Sequence, residues 1–389
     1  MYLSQLRLLS FRIYQEAAVD LLPGVNLVLG QNGQGKTSLL EAISTLALTR
    51  SPRSGSLGDC AAWGESRLGV AAHLVSARGE TDIELRGERQ EGSQRWLRKL
   101  RQDGESVQPR ELLGRFRAVL FWPEDLLLVK GGPEPRRRLL DVVLSQLARG
   151  YAEAAVRYRR AVEHRTAVLR RIREGLADSA ELRPWSEALV EHGTVVITER
   201  QRYLEAAQPI AAEAVIKIGE TAELELDYRP GLGRGGDPGK ASHPADALWL
   251  ALQNSSSEEI ARAQCLVGPH RDDFEILLGG RPARQFASQG QQRSVVLALK
   301  VAEVRQHLNE GGEAPLLLLD DVLSELDQER RRGLIQLLSE ELAVEQTLIT
   351  STEDPQIGTE VAVAQTLQAR GGRLNRLSQP NLEIAEWKG

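Results

Sequence analysis

The sequence predicts an α/β fold built on a parallel sheet, and three segments support this prediction. Residues 25–29 (VNLVL) form an apolar run typical of a buried strand, and residues 36–48 have the pattern of a helix. The segment that connects them, GQNGQGKT at residues 30–37, is rich in glycine. A second apolar run, residues 316–319 (LLLL), leads into two aspartates, and its lack of polar positions indicates a strand buried on both faces.

The glycine-rich segment matches the phosphate-binding pattern G-x-x-x-x-G-K-[ST]. Its glycines let successive backbone N–H groups point at phosphate, while the lysine meets the β- and γ-phosphates and the hydroxyl meets Mg²⁺. The N-terminus of the following helix adds partial positive charge and free N–H groups. We therefore expect ATP and Mg²⁺ as ligands, with the nucleotide contacted by Gly30, Gln31, Asn32, Gly33, Gln34, Gly35, Lys36 and Thr37.

Two carboxylates follow the second apolar run. Ligands of open α/β sheets bind beyond the carboxyl ends of the strands, so Asp320 is predicted to hold Mg²⁺ together with Thr37, directly or through water. Asp321 stands where a base that activates water would lie, and Asp321 and Lys36 are the predicted catalytic residues. An acidic cap for the next helix also explains such a pair, but it is the weaker explanation beside a phosphate-binding loop.

A third motif, SQGQQ at residues 288–292, precedes a predicted helix over residues 292–308. ABC-type ATPases carry their signature, typically L-S-G-G-Q, at this place in the chain. A serine hydroxyl, a glycine and a helix N-terminus make a second phosphate site, which Ser288, Gln289, Gly290 and Gln291 would offer to the ATP of another subunit. The three motifs together predict an ABC-type P-loop ATPase head that forms an ATP-dependent homodimer.

Four further segments make the chain resemble the RecF family, bacterial recombination and repair ATPases related to the SMC group. They are FRIY at 11–14, FWPEDL at 121–126, KGGPEPRRR at 130–138 and GPHRDD at 268–273. The last two resemble blocks specific to RecF proteins, and the resemblance spans nearly the whole chain. It implies an SMC-like head assembled from both chain ends, with a helical lobe inserted between them.

The resemblance also implies roles for single residues. It assigns phosphate contacts to Asn32 and Lys36, Mg²⁺ to Thr37 and Asp320, the partner's γ-phosphate to Ser288 and Gly290, the dimer interface to Asp327, and a nucleotide contact to Arg12.

Three departures from the family pattern concern hydrolysis. Most ABC-type enzymes carry glutamate where Asp321 stands, and this shorter carboxylate predicts slow turnover suited to a switch. Residues 348–352 (LITST) offer hydroxyls where a histidine is usual. The glutamine that senses the γ-phosphate has no assigned counterpart, and Gln102 and Gln108 are candidates without further support.

The pattern of elements predicts three parts, namely an N-terminal part of the ATPase domain (1–119), an inserted helical lobe (120–263) and a C-terminal part of the ATPase domain (264–389). The first part is rich in strands and has a hairpin turn at Asp103 and Gly104. In the lobe we expect one helix over residues 133–173 and a return helix that passes a kink at Pro209. A glycine-rich stretch at 230–243 predicts a mobile loop.

The formal net charge of −5 is unusual for a DNA-binding protein, but the charges are unevenly distributed. Between Glu134 and Glu174 there are eleven arginines and five acidic residues. Helical spacing places several arginines on one face, and the predicted DNA contacts are Arg136, Arg137, Arg157, Arg160 and Arg171. A solvated helix surface with ordinary charges explains the spacing equally well.

These observations predict an ATP-gated clamp on DNA. By resemblance, the clamp would bind gapped duplex or junctions of single-stranded and double-stranded DNA, cooperate with RecR and RecO, and help to load RecA during repair and the SOS response. Two alternatives remain open, namely a transporter-type ATPase subunit and a non-catalytic DNA-binding module in which ATP only stabilises the structure. No membrane span or paired cysteine spacing is evident, so we expect a cytoplasmic protein without a membrane partner.

Overall fold

A computed structural model describes residues 1–233, 243–338, 344–355, 357 and 361–378. The chain divides into two compact units. The first unit comprises Met1–Asp125, Ala214–Glu220 and Leu297–Gly389, and the second comprises Leu126–Glu213 and Thr221–Val296. The first unit is therefore assembled from both chain ends, and the second is inserted between them, as the sequence predicted.

The described strands are β1 (Tyr2–Phe11), β2 (Tyr14–Asp20), β3 (Gly24–Leu29), β4 (Arg67–Ser76), β5 (Gly79–Arg89), β6 (Trp96–Gln102), β7 (Glu105–Ser106), β8 (Ala118–Phe121), β9 (Leu224–Arg229), β10 (Asp273–Leu278), β11 (Arg281–Pro282), β12 (Leu316–Asp320), β13 (Gln346–Ser351), β14 (Val363–Arg370) and β15 (Arg373–Ser378). The described α-helices are α1 (Lys36–Leu48), α2 (Pro109–Leu112), α3 (Leu127–Lys130), α4 (Pro133–Leu147), α5 (Tyr151–Arg173), α6 (Arg183–Lys217), α7 (Pro244–Arg262), α8 (Ala283–Phe286), α9 (Gln289–Gly311) and α10 (Gln328–Gln336).

A largely parallel sheet forms the centre of the first unit, with the strand order β15-β14-β3-β13-β12-β8. The strands from β14 to β8 run parallel, and β15 pairs antiparallel at one edge. All five residues of β12 are buried, which agrees with the prediction from its leucines. Because β3 and β12 are parallel to β13, which separates them, their carboxyl ends lie at the same edge of the sheet.

An antiparallel sheet with the order β2-β1-β4-β5-β6-β7 completes the first unit. The predicted hairpin turn joins β6 to β7, and its two residues, Asp103 and Gly104, both have positive φ, as a tight two-residue turn requires. Helix α1 contacts strands of both sheets, and its buried leucines and alanines belong to one continuous core. The helix that follows the glycine-rich loop is therefore held on both sides.

The second unit combines helices with a three-stranded sheet of order β11-β10-β9. Its α5 packs against α7 through a buried face that contains Ala154, Tyr158, Ala161 and Arg165. From the spacing of apolar residues alone, the sequence predicts a different seam for α5, namely Ala155, Val162, Leu169 and Ile172. Of those four, only Leu169 is buried, because the true face includes an arginine that hydrophobic periodicity cannot identify.

Two predicted boundaries need correction. The single helix expected over residues 133–173 is two helices, α4 and α5, separated at Gly150, which has a φ of 82°. Residues 264–296, expected in the ATPase domain, group with the second unit. Of the predicted loop at 230–243, residues 234–242 lie outside the described residues. Within the described parts of the chain, no helix is both long and apolar enough to cross a membrane.

Candidate nucleotide-binding site

The glycine-rich loop runs from the end of β3 at Leu29 to the start of α1 at Lys36, as the motif requires. Gly35 has a φ of 108°, in the left-handed region that favours glycine. The Tyr14 hydroxyl donates a 3.0 Å hydrogen bond to the carbonyl oxygen of Gly35, and a Cβ atom at Gly35 would lie 2.8 Å from that hydroxyl oxygen. Gly35 is thus needed both for the turn and for the close approach of Tyr14.

Lys36 is buried and folded back over its own loop. Its ammonium donates a 2.7 Å hydrogen bond to the carbonyl oxygen of Gly30, and its Nζ lies 3.6 Å from Oδ2 of Asp321. These contacts satisfy the lysine charge without nucleotide. A bound polyphosphate would provide stronger acceptors for the same ammonium, since charged oxygens form shorter and stronger hydrogen bonds than a carbonyl.

The two carboxylates at the end of β12 have different environments. Asp320 is buried, and burial is the main cause that raises its pKa, against hydrogen bonds from Thr350 and Thr37 that lower it. The Thr350 hydroxyl donates to Oδ1 of Asp320 at 2.7 Å and accepts from the backbone N–H of Asp321 at 3.0 Å. Thr350, in the segment 348–352 that offers hydroxyls and no histidine, therefore links both aspartates.

Asp321 lies in the left-handed region, with a φ of 52°, and its Oδ1 is buried without a hydrogen-bond partner among the described residues. The side chain of Thr37 reaches Asp320, so one hydroxyl and two carboxylates converge where the sequence predicted Mg²⁺. Oxygen donors of this kind suit Mg²⁺, which usually keeps several waters and takes phosphate oxygens as its other ligands. The donor set fits the predicted metal: Thr37 and Asp320 would hold it, and it would neutralise charge on the phosphates.

The signature segment belongs to the second unit and is exposed or half-buried from Ser288 to Gln291. Ser288 Oγ accepts from the backbone N–H of Gln291 at 3.2 Å, and Gln291 Oε1 accepts from the backbone N–H of Ser288 at 3.0 Å. This reciprocal capping box begins α9 at Gln289, three residues before the predicted start. The first turn of a helix leaves backbone N–H groups without intrahelical partners, and such an end can bind phosphate, so a second phosphate site at this segment stays a prediction.

Comparison with known proteins places this geometry in a family. The family model described as the RecF/RecN/SMC N-terminal domain matches residues 2–373. A protein of Heliobacterium modesticaldum named DNA replication and repair protein RecF is 40% identical over 356 residues, which cover 90% of this chain and 92% of the relative. A RecF protein of Moorella thermoacetica is 39% identical over 352 residues, with 90% of each chain covered. The chain belongs to the RecF family.

Solved structures agree with this assignment. A structure described as the recombination mediator protein RecF with ATP in the RecFOR pathway superimposes with a TM-score of 0.86 at 30% identity, covering 97% of this chain and 98% of that one. An Smc head bound to the C-terminal winged-helix domain of ScpA gives a TM-score of 0.55 at 15% identity and shares only the fold. This member of the RecF family therefore has an ABC-type head of the SMC kind.

One acidic residue of this RecF site was missed by the sequence analysis. Strand β8 pairs parallel with β12, so the segment after Phe121 leaves the sheet at the same edge as Asp320. Glu124 lies in this segment and contributes to the raised pKa of Asp320. The signal in the sequence was the short apolar run at 118–121 followed by polar residues. The candidates Gln102 and Gln108 lie elsewhere, in β6 and just before α2, where each has a hydrogen bond to an acidic residue close in sequence.

Arg12 and Asp327 have clear partners in the structure. Arg12 makes a bidentate ion pair with the buried Glu41 on α1, at 2.6 and 2.9 Å, and its φ is 54°. This pair holds the guanidinium beside the helix of the glycine-rich loop, and a nucleotide contact by Arg12 stays a prediction. Asp327 caps α10 by accepting from the backbone N–H of Arg330 at 2.9 Å, while its carboxylate is half-exposed.

The structure separates the five predicted DNA contacts into two groups. Arg136 is buried, pairs with Asp273 through two hydrogen bonds of 2.6 and 2.9 Å and donates to two carbonyl oxygens, so it holds α4 to β10 and is corrected here to a structural residue. Arg137 is half-buried and donates to the carbonyl oxygen of Asp272. The exposed arginines are Arg157, which pairs with Glu153, Arg171, which pairs with Glu181, and Arg160.

Proposed function

We propose that this member of the RecF family is an ATP-dependent DNA-binding protein of replication and recombinational repair, in which two subunits close head to tail on two ATP molecules. The observation that carries the proposal is the presence, in one RecF-family chain, of a P-loop with converging carboxylates and of a separate exposed signature. Each motif would supply half of an ATP site.

ATP binding is supported by the geometry of the loop and by the similarity to a RecF structure described with ATP. Lys36 is held by weak acceptors that phosphate oxygens would replace. Thr37, Asp320 and Glu124 would supply oxygen ligands for Mg²⁺ or for its waters. Asp321 is placed within 3.6 Å of Lys36, so its carboxylate would contact the region of the γ-phosphate when the lysine turns outward.

Hydrolysis is expected to be slow. The side chain of Asp321 is one methylene shorter than glutamate, and residues 348–352 offer hydroxyls in place of the usual histidine, so the base and the attacking water would be less well aligned. Slow turnover gives the closed dimer a long lifetime on DNA. The alternative in which ATP is only structural glue predicts no hydrolysis even in a single turnover, whereas the transporter alternative conflicts with membership of the RecF family.

DNA and protein partners follow from the family. The similar structure is described as part of the RecFOR pathway, and we infer that RecO and RecR are partners of this chain too. Gapped duplex and junctions of single-stranded and double-stranded DNA are the proposed substrates, with RecA loading and the SOS response as the cellular roles. The exposed Arg157, Arg160 and Arg171 would contact phosphates without reading sequence.

The test measures subunit association and ATP hydrolysis together. Mass by light scattering should shift from monomer to dimer with ATP, and the hydrolysis rate should rise more steeply than linearly with protein concentration and further with gapped duplex. Lys36→Met should abolish both responses. Ser288→Ala should retain ATP binding but lose dimer formation, because the serine serves the partner's ATP.

A matched control accounts for the loss of one hydrogen bond between a serine hydroxyl and the backbone. Ser76→Ala removes a comparable hydrogen bond, 3.2 Å from the backbone N–H of Arg78 to a serine hydroxyl, from a hairpin turn. This variant should dimerise like the parent. A Lys36→Met protein that dimerised with ATP and bound DNA as well as the parent would overturn the proposed ATP gating.

A further inference from the structure

A cavity of about 420 Å³ lies in the second unit, and none of its lining residues belongs to the P-loop, the carboxylate strand or the signature segment. It is bordered by the last turns of α5, the end of α7 and the GPHRDD segment, whose role the ATPase does not explain. Its lining residues are Val162, Thr166, Arg170, Arg173, Arg262, Ala263, Gln264, Cys265, His270 and Arg271. A volume of this size is within the range of small-molecule sites.

The charge of the cavity is one-sided. Four of its ten lining residues are arginines, and none is acidic. The side chains of Arg170 and Arg173 make no hydrogen bond or ion pair with any described residue. Arg271 donates to the carbonyl oxygen of Cys265 at 3.2 Å, which leaves most of its donors free, and Arg262 pairs with the exposed Glu258. An anion entering the cavity would therefore meet several unsatisfied guanidinium groups.

The wall of the cavity is fixed by a buried network. His270 Nδ1 lies 2.6 Å from the Tyr158 hydroxyl, and Nε2 lies 3.1 Å from the carbonyl oxygen of Cys265. Because a carbonyl can only accept, Nε2 carries the proton and Nδ1 accepts from the tyrosine. Burial, with the nearby Arg271 and Arg137, lowers the pKa of His270 to about 4, so the ring is neutral near pH 7.

The turn that carries Arg271 is held by the next residue. Asp272 is fully buried and accepts from Arg200 at 2.8 Å, from the backbone N–H of Gly231 at 2.7 Å and from the Tyr228 hydroxyl. These hydrogen bonds fix the backbone from Gly268 onward, where a φ of 123° begins the turn. The position of Arg271 is thus set in advance, which lowers the entropy cost of binding an anion.

We infer that this cavity binds a terminal phosphate group, a phosphomonoester carried by the end of a DNA strand or by a free nucleotide. Such a group is close to dianionic and offers three oxygens, so it can accept from several guanidinium groups at once. A single carboxylate offers only two oxygens. The lining holds no phenylalanine, tyrosine or tryptophan on which a base could stack, so the phosphate itself would be the recognised part.

Compensation of helix dipoles does not account for the arrangement. Arg170 and Arg173 lie in the last turns of α5 and Arg262 lies in the last turn of α7, where cations are favourable. Arg271, however, follows a glycine-proline turn and belongs to no α-helix, yet it lines the same cavity. Convergence of side chains from three segments is the property that a binding site needs.

If the phosphate belongs to the end of a DNA strand, the inference rests on the DNA-binding function proposed above and adds recognition of that strand end. The experiment uses the full chain and one labelled duplex in two forms, with a 5′-phosphate and with a 5′-hydroxyl. The parent protein should bind the phosphorylated form about tenfold more tightly, the effect of one or two charge-assisted hydrogen bonds. Arg170→Gln/Arg173→Gln should remove this difference, and inorganic phosphate and AMP should compete for it.

A matched control variant keeps the same change of net charge. Arg138→Gln/Arg183→Gln removes two exposed arginines of the second unit that do not line the cavity, and it should keep the tenfold preference. Because the side chains of Arg170 and Arg173 have no described partner, their replacement should leave the thermal unfolding midpoint unchanged. If the double variant has a lowered midpoint, the same binding comparison is made with Arg170→Gln and with Arg173→Gln alone.

The outcomes distinguish the two proposals. If the parent binds both duplexes equally and the cavity variant changes neither, the phosphate site is wrong while DNA binding stands. If neither duplex binds but AMP binds to the parent and not to the cavity variant, the site serves a free nucleotide and the DNA proposal fails. If hexaglutamate competes and phosphate does not, the cavity recognises acidic peptide and the inference is overturned.

Discussion

His307 shows how a single buried residue makes the fold sensitive to acid. It lies on α9 with no exposed surface, and neither ring nitrogen has a hydrogen-bond partner among the described residues. Burial and the neighbouring Arg117 lower its pKa from 6.5 to about 3. Below about pH 6.5 the unfolded chain therefore binds a proton that the folded chain does not, and the free energy of unfolding decreases as pH falls toward 3.

The variant His307→Leu should reduce this loss. Urea unfolding of the parent at pH 7.5 and pH 5 should show a lower free energy of unfolding at pH 5, by at most about 1.4 kcal/mol per pH unit for this group. In His307→Leu the difference between the two pH values should shrink. The exposed His243→Gln serves as the control and should keep the parent's difference. An unchanged difference in His307→Leu would show that other groups cause the acid sensitivity.

Gly35 can be tested against a glycine with the same backbone constraint. Gly35→Ala would place an alanine in the left-handed backbone region, which costs roughly 1–2 kcal/mol. The new Cβ would also clash with the Tyr14 hydroxyl oxygen, which is only 2.8 Å away. Gly64 has a φ of 84° and no atom within 4 Å of the position that a Cβ would take, so Gly64→Ala carries the penalty alone. We expect ATP affinity, measured by titration calorimetry, to fall at least about tenfold in Gly35→Ala and to be unchanged in Gly64→Ala.

The setting of single residues in the candidate nucleotide site was predictable where chemistry fixes both residue type and spacing. Lys36, Thr37 and Asp320 follow from motifs whose backbone setting also appears in the sequence, as a strand before and a helix after. Arg136 and Arg165 were not predictable as buried residues. Arginine is usually exposed, and the acidic partner of each of these arginines lies more than 90 positions away in the sequence. The long-range partner decides such cases.

At the level of elements, α5 and α7 are joined by a buried ion pair. Arg165 and Glu259 are 2.6 Å apart and almost fully buried, and Glu259 also accepts from the backbone N–H of Leu266 at 2.8 Å. Removal of one partner leaves an uncompensated buried charge, which costs about 3–5 kcal/mol. Glu259→Ala should therefore lower the free energy of unfolding by that amount in urea titrations followed by circular dichroism.

Two further variants give this prediction its controls. Arg165→Met/Glu259→Leu replaces the pair by apolar side chains and should recover most of the stability, because neither charge remains buried. Arg183→Ala breaks the exposed pair of Arg183 with Glu187 and should cost less than about 1 kcal/mol. A Glu259→Ala protein as stable as Arg183→Ala would mean that water reaches Arg165 in the folded state.

The boundaries of elements were predictable only where a local signal marks them. Helix α1 begins and ends where the sequence predicted, because glycine precedes it and its apolar pattern is continuous. The break between α4 and α5 at Gly150 was missed, since one glycine within a helical pattern is compatible with an uninterrupted helix. The early start of α9 depends on the side chains of Ser288 and Gln291 capping each other, a detail that the predicted start at 292 ignored.

For the whole molecule, the assembly of the first unit from both chain ends was predictable because the P-loop and the carboxylate strand must share one sheet. The placement of residues 264–296 with the second unit was not predictable. Strand β10 pairs with β9 across about 50 residues, and no local sequence pattern indicates that pairing. The signature thus belongs to the inserted unit although it is close in sequence to the carboxylate strand.

The charge of the molecule predicts how DNA binding depends on salt. With a net charge of −5, the chain cannot attract DNA as a whole, so binding must come from a few local phosphate contacts. Each contact contributes about 0.9 to the magnitude of the slope of log K against log salt concentration.

In the presence of ATP, Arg157→Gln/Arg160→Gln should reduce the magnitude of this slope by about 1–2 and weaken binding equally on unrelated sequences, as measured by fluorescence anisotropy. The pair Arg138→Gln/Arg183→Gln has the same change of net charge and should keep the parent's slope. Equal slopes for both variants would mean that Arg157 and Arg160 do not contact DNA phosphates.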